Sequence, residues 1–164
     1  MQIRPLASSD NLRDVVQVYV RSWQYAYQGI VPQVYLDALA PDGWVATLAG
    51  YADRTWIASE GDAVVGVCTY GPARDEVFAG WGEVVSIYVL PERTGQGIGR
   101  ALLDAALVSL RDEGFFKVYL WVLEENHRAR AFYEGQGFVP NGDVVDFEVG
   151  GAPLREIRYV RRTA

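Results

Sequence analysis

At 164 residues, half of them hydrophobic and 22% charged, the chain has the size and makeup of one globular domain with a sizeable buried core, spanning residues 1–164. A net charge of −6, from 21 acidic against 15 basic residues, argues against nucleic acid as a partner and suits a cationic substrate slightly better than an anionic one. The first residues lack the apolar run of a secretory signal, and no apolar stretch approaches the roughly 18 residues that span a bilayer. The single cysteine, Cys68, has no partner for an internal disulfide. The expectation is a soluble cytoplasmic protein without a membrane partner.

In chain order, residues 2–6 read as a short first strand. Ser8 or Ser9 with Asp10 offers N-cap chemistry for a helix. Leu12, Val15, Val16, Tyr19, Val20 and Trp23 then recur at three- and four-residue steps, so the helix is amphipathic and ends before Gly29. Shorter helices are predicted over residues 33–39, after Pro32, and over 44–51. The period then changes to that of strands. Residues 55–59 and 63–70 flank Glu60-Gly61-Asp62 and read as a hairpin. Cys68 lies in the second of these runs, as a small buried residue rather than a nucleophile.

Residues 83–90 form the next strand, almost wholly apolar from Val84 onward, as expected of a central strand covered on both faces. A glycine-rich loop leads into a helix over 97–113. Its Ile98, Leu102, Leu103, Ala106, Leu107 and Leu110 share one side, and Gly114 stands where a C′ glycine belongs. Residues 116–122 are strand, Asn126 caps a helix ending at Gly137, Phe138 and Val139 resume extended structure, and 154–162 make the last strand. Early antiparallel strands combined with one β-α-β crossover predict an α/β fold with a mixed sheet of about seven strands and helices on both faces.

The most informative segment joins the central strand to its helix: Tyr88-Val89-Leu90-Pro91-Glu92-Arg93-Thr94-Gly95-Gln96-Gly97-Ile98-Gly99-Arg100. Three glycines at alternate positions let backbone N–H groups converge on an anion. The helix N-terminus behind them adds unpaired donors and roughly half a positive charge, which suits a pyrophosphate. A dinucleotide fold is the competing reading, and Glu124 stands near the distance its acidic residue requires. That fold wants G-x-G-x-x-G directly after the first strand, whereas here the spacing is G-x-G-x-G with Pro91 to Thr94 intervening. A Walker loop is excluded, because no Gly-Lys-Ser/Thr is present.

Tyr88-Val89-x-Pro91-Glu92 followed by Gly95-Gln96-Gly97-Ile98-Gly99 resembles the acyl-coenzyme A loop of the GNAT superfamily of N-acetyltransferases. Aligned on Gly97 and Gly99, Thr94 occupies the place where the family pattern has Gln or Arg. Asn126-His127-Arg128-Ala129-Arg130-Ala131-Phe132-Tyr133 with Gly137-Phe138 is similar to the family's Asn-x-x-Ala-x-x-Phe-Tyr-x-x-x-Gly-Phe. Trp23-x-x-x-Tyr27-x-Gly29-Ile30-Val31-Pro32 resembles a subset of small bacterial members. The likeness covers most of the chain and is strongest over residues 83–138.

The resemblance implies a GNAT-like acyl-coenzyme A N-acyltransferase fold and acetyl-coenzyme A as co-substrate, with no metal. In the family the loop-bearing strand splays from its parallel neighbour to admit the pantetheine. Backbone of Ile87 and Val89 would pair with it, Tyr88 and Phe132 would adjoin it, amides of Gly95, Gln96, Gly97, Ile98, Gly99 and Arg100 would hold the pyrophosphate, and Thr94 would stand beside them in the coenzyme site. Asn126 would reach the pantetheine or cap its helix, and Arg128 and Arg130 would meet adenosine phosphates or solvent.

Tyr133 matches the general acid, whose phenol protonates the departing thiolate. Glu83 is the candidate general base, with a solvent-exposed strand start as the other reading. Trp23 and Tyr27 are assigned to the wall of the acceptor pocket. The expected activity is acetyl transfer to a primary amine of a small molecule or peptide without an acyl-enzyme; a non-catalytic acyl-coenzyme A-binding module is the alternative. The acceptor's identity and a homodimer are left open.

Overall fold

A computed structural model describes residues 1–162 of the chain. In order, its elements are β1 (Gln2–Pro5), α1 (Leu12–Ala26), α2 (Gln33–Asp37), α3 (Asp42–Gly50), β2 (Thr55–Glu60), β3 (Ala63–Pro72), β4 (Gly82–Val89), α4 (Ile98–Asp112), β5 (Lys117–Leu123), α5 (His127–Gly135), β6 (Val139–Val149) and β7 (Ala152–Arg162). The strands form one seven-stranded sheet in the order β1-β2-β3-β4-β5-β7-β6. β4 and β5 run parallel, and every other neighbouring pair is antiparallel. The mixed sheet expected from the pattern of periods is therefore present.

Helices cover both faces. On one, Val15, Val16 and Tyr19 of α1 and Leu48 of α3 pack on Ile57 and Val67. On the other, α4 buries all six apolar residues read from its sequence against Ala58, Cys68, Val84 and Val118. Cys68 is fully buried there, as a small core residue.

Two local readings are corrected by hydrogen bonding. The cap of α1 is Asn11, whose Oδ1 accepts from the Arg13 amide at 3.0 Å. Asp10 is unavailable because it receives both guanidinium nitrogens of Arg4 at 2.9 Å and the Ala7 amide at 2.7 Å, which closes the turn before the helix. The second correction is β6, a strand of 11 residues where the sequence suggested only a short extended piece. It lies at the sheet edge, is largely exposed, and its pairing with β7 shifts between Pro140 and Val144. A strand with one open edge and little buried surface has no apolar alternation to reveal it.

A register shift opposite Thr69 and Tyr70 leaves Val85 as an extra residue in β4. Such a bulge re-aims the residues beyond it. Val84 and Ile87 accordingly pack toward α4, while Tyr88 packs toward α1.

Close approach of α4 depends on Gly66 in β3. A Cβ built there would stand 3.0 Å from Leu102 Cδ1 and 3.1 Å from Ile98 Cγ2. Gly66→Val is therefore expected to cost about 1–3 kcal/mol by overpacking. Urea unfolding should show that loss as a lower midpoint with an unchanged m-value.

Candidate active site

The parallel pairing of β4 with β5 consists of Gly82 against Val118 and Glu83 against Tyr119. Beyond these two pairs the strands part, and a cleft of about 920 Å³ opens between them. Strand alternation decides which backbone groups face the opening. The Leu90 amide donates to Val65 of β3 at 2.9 Å, so the N–H and C=O of Val89 and Ile87 point the other way, toward the cleft. Ser22 of α1 confirms that direction, since its hydroxyl donates to the Val89 carbonyl at 2.8 Å. The Val89 N–H remains presented to the opening.

At one end the cleft meets the glycine loop. Gly95 and Gly97 have φ of 76° and 82°, a left-handed conformation that side chains resist, and Gly97 is the N-cap of α4. The first N–H groups of that helix, on Ile98, Gly99 and Arg100, have no intrahelical acceptor. Thr94, Gly95, Gly97, Ile98, Gly99 and Arg100 all line the cleft.

Thr94 does not extend into it as a long polar side chain would. Its hydroxyl turns back to the Pro91 carbonyl at 3.0 Å. Gln96 is likewise occupied locally, its side chain reaching Arg93 and the Glu92 carbonyl, and it is not part of the lining. Arg93 is held by Glu60.

From α5 the cleft receives Asn126, Arg128, Phe132 and Tyr133. Asn126 is the N-cap, its Oδ1 accepting from the Ala129 amide at 3.2 Å. Arg130, one of the expected phosphate contacts, faces elsewhere. It donates to the Tyr159 hydroxyl at 3.0 Å and the Glu124 carbonyl at 2.9 Å, while Arg128 is the α5 arginine on the cleft. The Tyr133 hydroxyl makes no hydrogen bond among the described residues. Burial, with Cys68 and Tyr88 adding, pushes its phenol above the usual range, so it stays protonated.

The other end is aromatic. Trp23 and Tyr27 line it, packed edge to face at 4.7 Å between ring centroids, and the Trp23 indole donates to the Tyr88 hydroxyl at 3.1 Å. Trp121 and Phe147 complete the wall.

Glu83 differs from the isolated carboxylate that the sequence suggested. It is 1% exposed, which excludes a solvated strand start. Arg74 donates to it through Nη2 at 2.6 Å, through Nε at 3.1 Å and 3.2 Å, and through its backbone amide at 3.1 Å. The Tyr119 hydroxyl adds a fifth contact at 2.8 Å.

A family model for the acetyltransferase (GNAT) family matches residues 12–138. The chain belongs to this family. It is 35% identical to the uncharacterized N-acetyltransferase YuaI of Bacillus subtilis, over 92% of this chain and 87% of that protein. It is 50% identical to the mycothiol acetyltransferase of Beutenbergia cavernae over 62 residues, 38% of this chain and 21% of that protein. Among solved structures, the PaiA N-acetyltransferase of Thermoplasma acidophilum, in complex with coenzyme A, has the same fold at a TM-score of 0.76 and 20% identity, over 99% of each chain.

Beside the residues that the GNAT motifs pointed to, the cleft contains Arg74, Trp121 and Glu156, which the motifs do not cover. One signal for Glu156 was present. In β7 it shares the period-two phase of Leu154 and Arg158, and Leu154 is a core residue.

Removing Arg74 should expose how much the Glu83 pairing contributes. Arg74→Ala leaves a buried carboxylate uncompensated. A fully buried pair would lose roughly 3–5 kcal/mol, and the loss here should fall below that because the Arg74 side chain is 56% exposed. Adding Glu83→Gln to Arg74→Ala should recover part of the loss in chemical denaturation.

Proposed function

We propose that this GNAT protein transfers an acetyl group from acetyl-coenzyme A to a primary amine, by direct attack and without an acyl-enzyme. The observation that carries the reading is the parting of β4 from β5 beside a left-handed glycine N-cap. An exposed strand edge and a cluster of helix N-terminal donors then share one cleft. These features suit the two ends of the donor: the amide-bearing arm along Ile87 and Val89, and the pyrophosphate at the N-terminus of α4. The donor supplies the acetyl thioester.

The chain's own groups do the rest. The Val89 N–H is an available donor for the thioester carbonyl oxygen, where negative charge develops. Tyr133, neutral and without a hydrogen-bond partner among the described residues, gives its proton to the departing sulfur. Direct attack is favoured because the one thiol of the chain is sealed in the core and burial pushes it above its usual range. Thr94, turned back on its own loop, leaves phosphate binding to backbone amides.

Thermal unfolding tests the donor site. Acetyl-coenzyme A or coenzyme A at about 100 times its dissociation constant should add roughly 2.7 kcal/mol, on the order of 5–10 °C for a chain this size, and NAD should add nothing. A shift with NAD alone would overturn the reading. Gly97→Glu should abolish the coenzyme A shift, because it places a side chain in a left-handed position and a negative charge at the helix N-terminus.

Tyr133→Phe should keep the coenzyme A shift and lower turnover by about 100-fold or more. Unchanged turnover would remove Tyr133 as the acid. Retained coenzyme A binding with no thiol release from any amine would favour a binding module.

A further inference from the structure

Arg74 and Glu156 line the acceptor end of the cleft, with Glu83 buried behind Arg74 and Arg158 behind Trp121, and three of these four charged side chains are paired. Arg74 and Glu83 are paired with each other. Arg158, 5% exposed, has Nη2 2.8 Å from Asp75 and Nε 3.2 Å from Asp143. Its guanidinium is stacked against Phe78, Tyr119 and Trp121, 3.9–4.7 Å from their ring centroids. Glu156 is the exception. It lines the cleft and has neither a hydrogen bond nor an ion pair among the described residues. The cross-strand partners of Glu156, Leu123 and Val145, offer it no counter-charge.

An unpaired carboxylate in a half-buried aromatic cleft is costly unless a cation completes it. Trp23, Tyr27, Trp121 and Phe147 surround the same space, and aromatic walls favour a cation carried on an apolar body. Arg74 is paired with Glu83, and Arg158 is paired with Asp75 and Asp143 and buried, which disfavours an acidic group on the acceptor at this end.

Resting on the acetyl-transfer reading above, we propose that Glu156, rather than Glu83, receives the acceptor's ammonium and takes its proton. The acceptor is a primary amine on an apolar body with no acidic group beside the nitrogen. One ammonium proton passes to Glu156 and on to solvent. The nitrogen lone pair forms a bond to the thioester carbonyl carbon, and the carbon–sulfur bond breaks. The Tyr133 phenol protonates the sulfur, and the nitrogen's second proton restores the phenol as the amide forms. One proton is released per turnover.

The groups facing Glu156 give this step a defined pH dependence. They are Tyr27 at the C-cap of α1, Tyr88 and Glu83 from β4, Arg74 from the β3–β4 connection, and Arg158 two residues along its own strand. Burial holds the Glu156 carboxyl above its usual range, with Arg74 opposing and Glu83 adding. Tyr27 and Tyr88 are raised further from ionisation. The first rise of kcat/KM with pH therefore follows ionisation of Glu156.

The test uses coenzyme A-saturated protein and three probes with one body: 2-phenylethylamine, phenylalanine, which adds a carboxylate, and 2-phenylethanol, which has no charge. In the wild type only the amine should raise the melting temperature. Glu156→Gln should lose that shift and keep the coenzyme A shift, whereas Glu83→Gln should keep both.

With acetyl-coenzyme A and 2-phenylethylamine, Glu156→Gln should lower kcat/KM at least about 100-fold and remove its first rise with pH; Glu156→Asp should restore part of both. A carboxyl raised by folding loses stability as pH increases through its titration, so Glu156→Gln alone should melt no lower than the wild type at pH 8. A structural role would make it melt lower.

The proposal is overturned by an amine shift that survives Glu156→Gln, by equal shifts from phenylalanine, or by the absence of any amine shift where coenzyme A still binds. Failure of coenzyme A itself to bind the wild type would instead overturn the acetyl-transfer reading.

Discussion

Buried backbone N–H and C=O groups need partners, and this sheet leaves a stretch of them without a neighbouring strand at its centre. β4 and β5 pair through two residues and then part, so the inward edge of Ile87 and Val89 faces a cleft instead of a ladder. Much of the surrounding architecture follows from holding that gap open. α1 lies across one face and satisfies the Val89 carbonyl through Ser22. The bulge at Val85 turns Tyr88 toward α1, where it meets Trp23. The glycine loop brings the donor end of α4 to the mouth of the opening.

Something must keep the strands joined where they still touch. Glu83, Arg74 and Tyr119 form that closure at the last paired position, and Arg158 stacks its guanidinium on the aromatic rings beside it. Glu83 and Arg158 are both nearly inaccessible, and each lies against an opposite charge, as a buried charge requires. The carboxylate that most resembles a catalytic base by position is thus the one most committed to structure. Glu156, which lines the cleft, has no such commitment. Position within a motif and freedom to react are separate properties, and only side-chain partners distinguish them.

The sequence was most legible where burial imposes a period. α4 shows its six core residues at helical spacing, and β4 its apolar run, because both sides of these elements are constrained. The loop was legible because left-handed backbone at Gly95 and Gly97 requires glycine. What escaped was set by long-range pairing. Nothing local distinguishes Asp10 from Asn11 as a helix cap until Arg4 is seen to claim Asp10. Arg74 reads as a loop charge until the fold brings Glu83 to it. β6 lacks a pattern because one of its edges and much of its surface meet solvent. Arg128 and Arg130 both read as contacts to phosphate or solvent, and the fold turns Arg130 to Tyr159.

The parting of β4 and β5 also divides the molecule mechanically. On one side stand β1 to β4, a continuous antiparallel ribbon; on the other stand β5, β7 and β6, equally continuous. Only a short seam and the helices laid across it connect them. Amide protons of the two ribbons should consequently report two cooperative units of unequal lifetime, with those of Ile87 and Val89 exchanging early because no ladder bond protects them. A molecule seated in the gap and bonded along that edge would act as a temporary eighth strand. It would turn two half-sheets into one, so that occupancy and rigidity rise together.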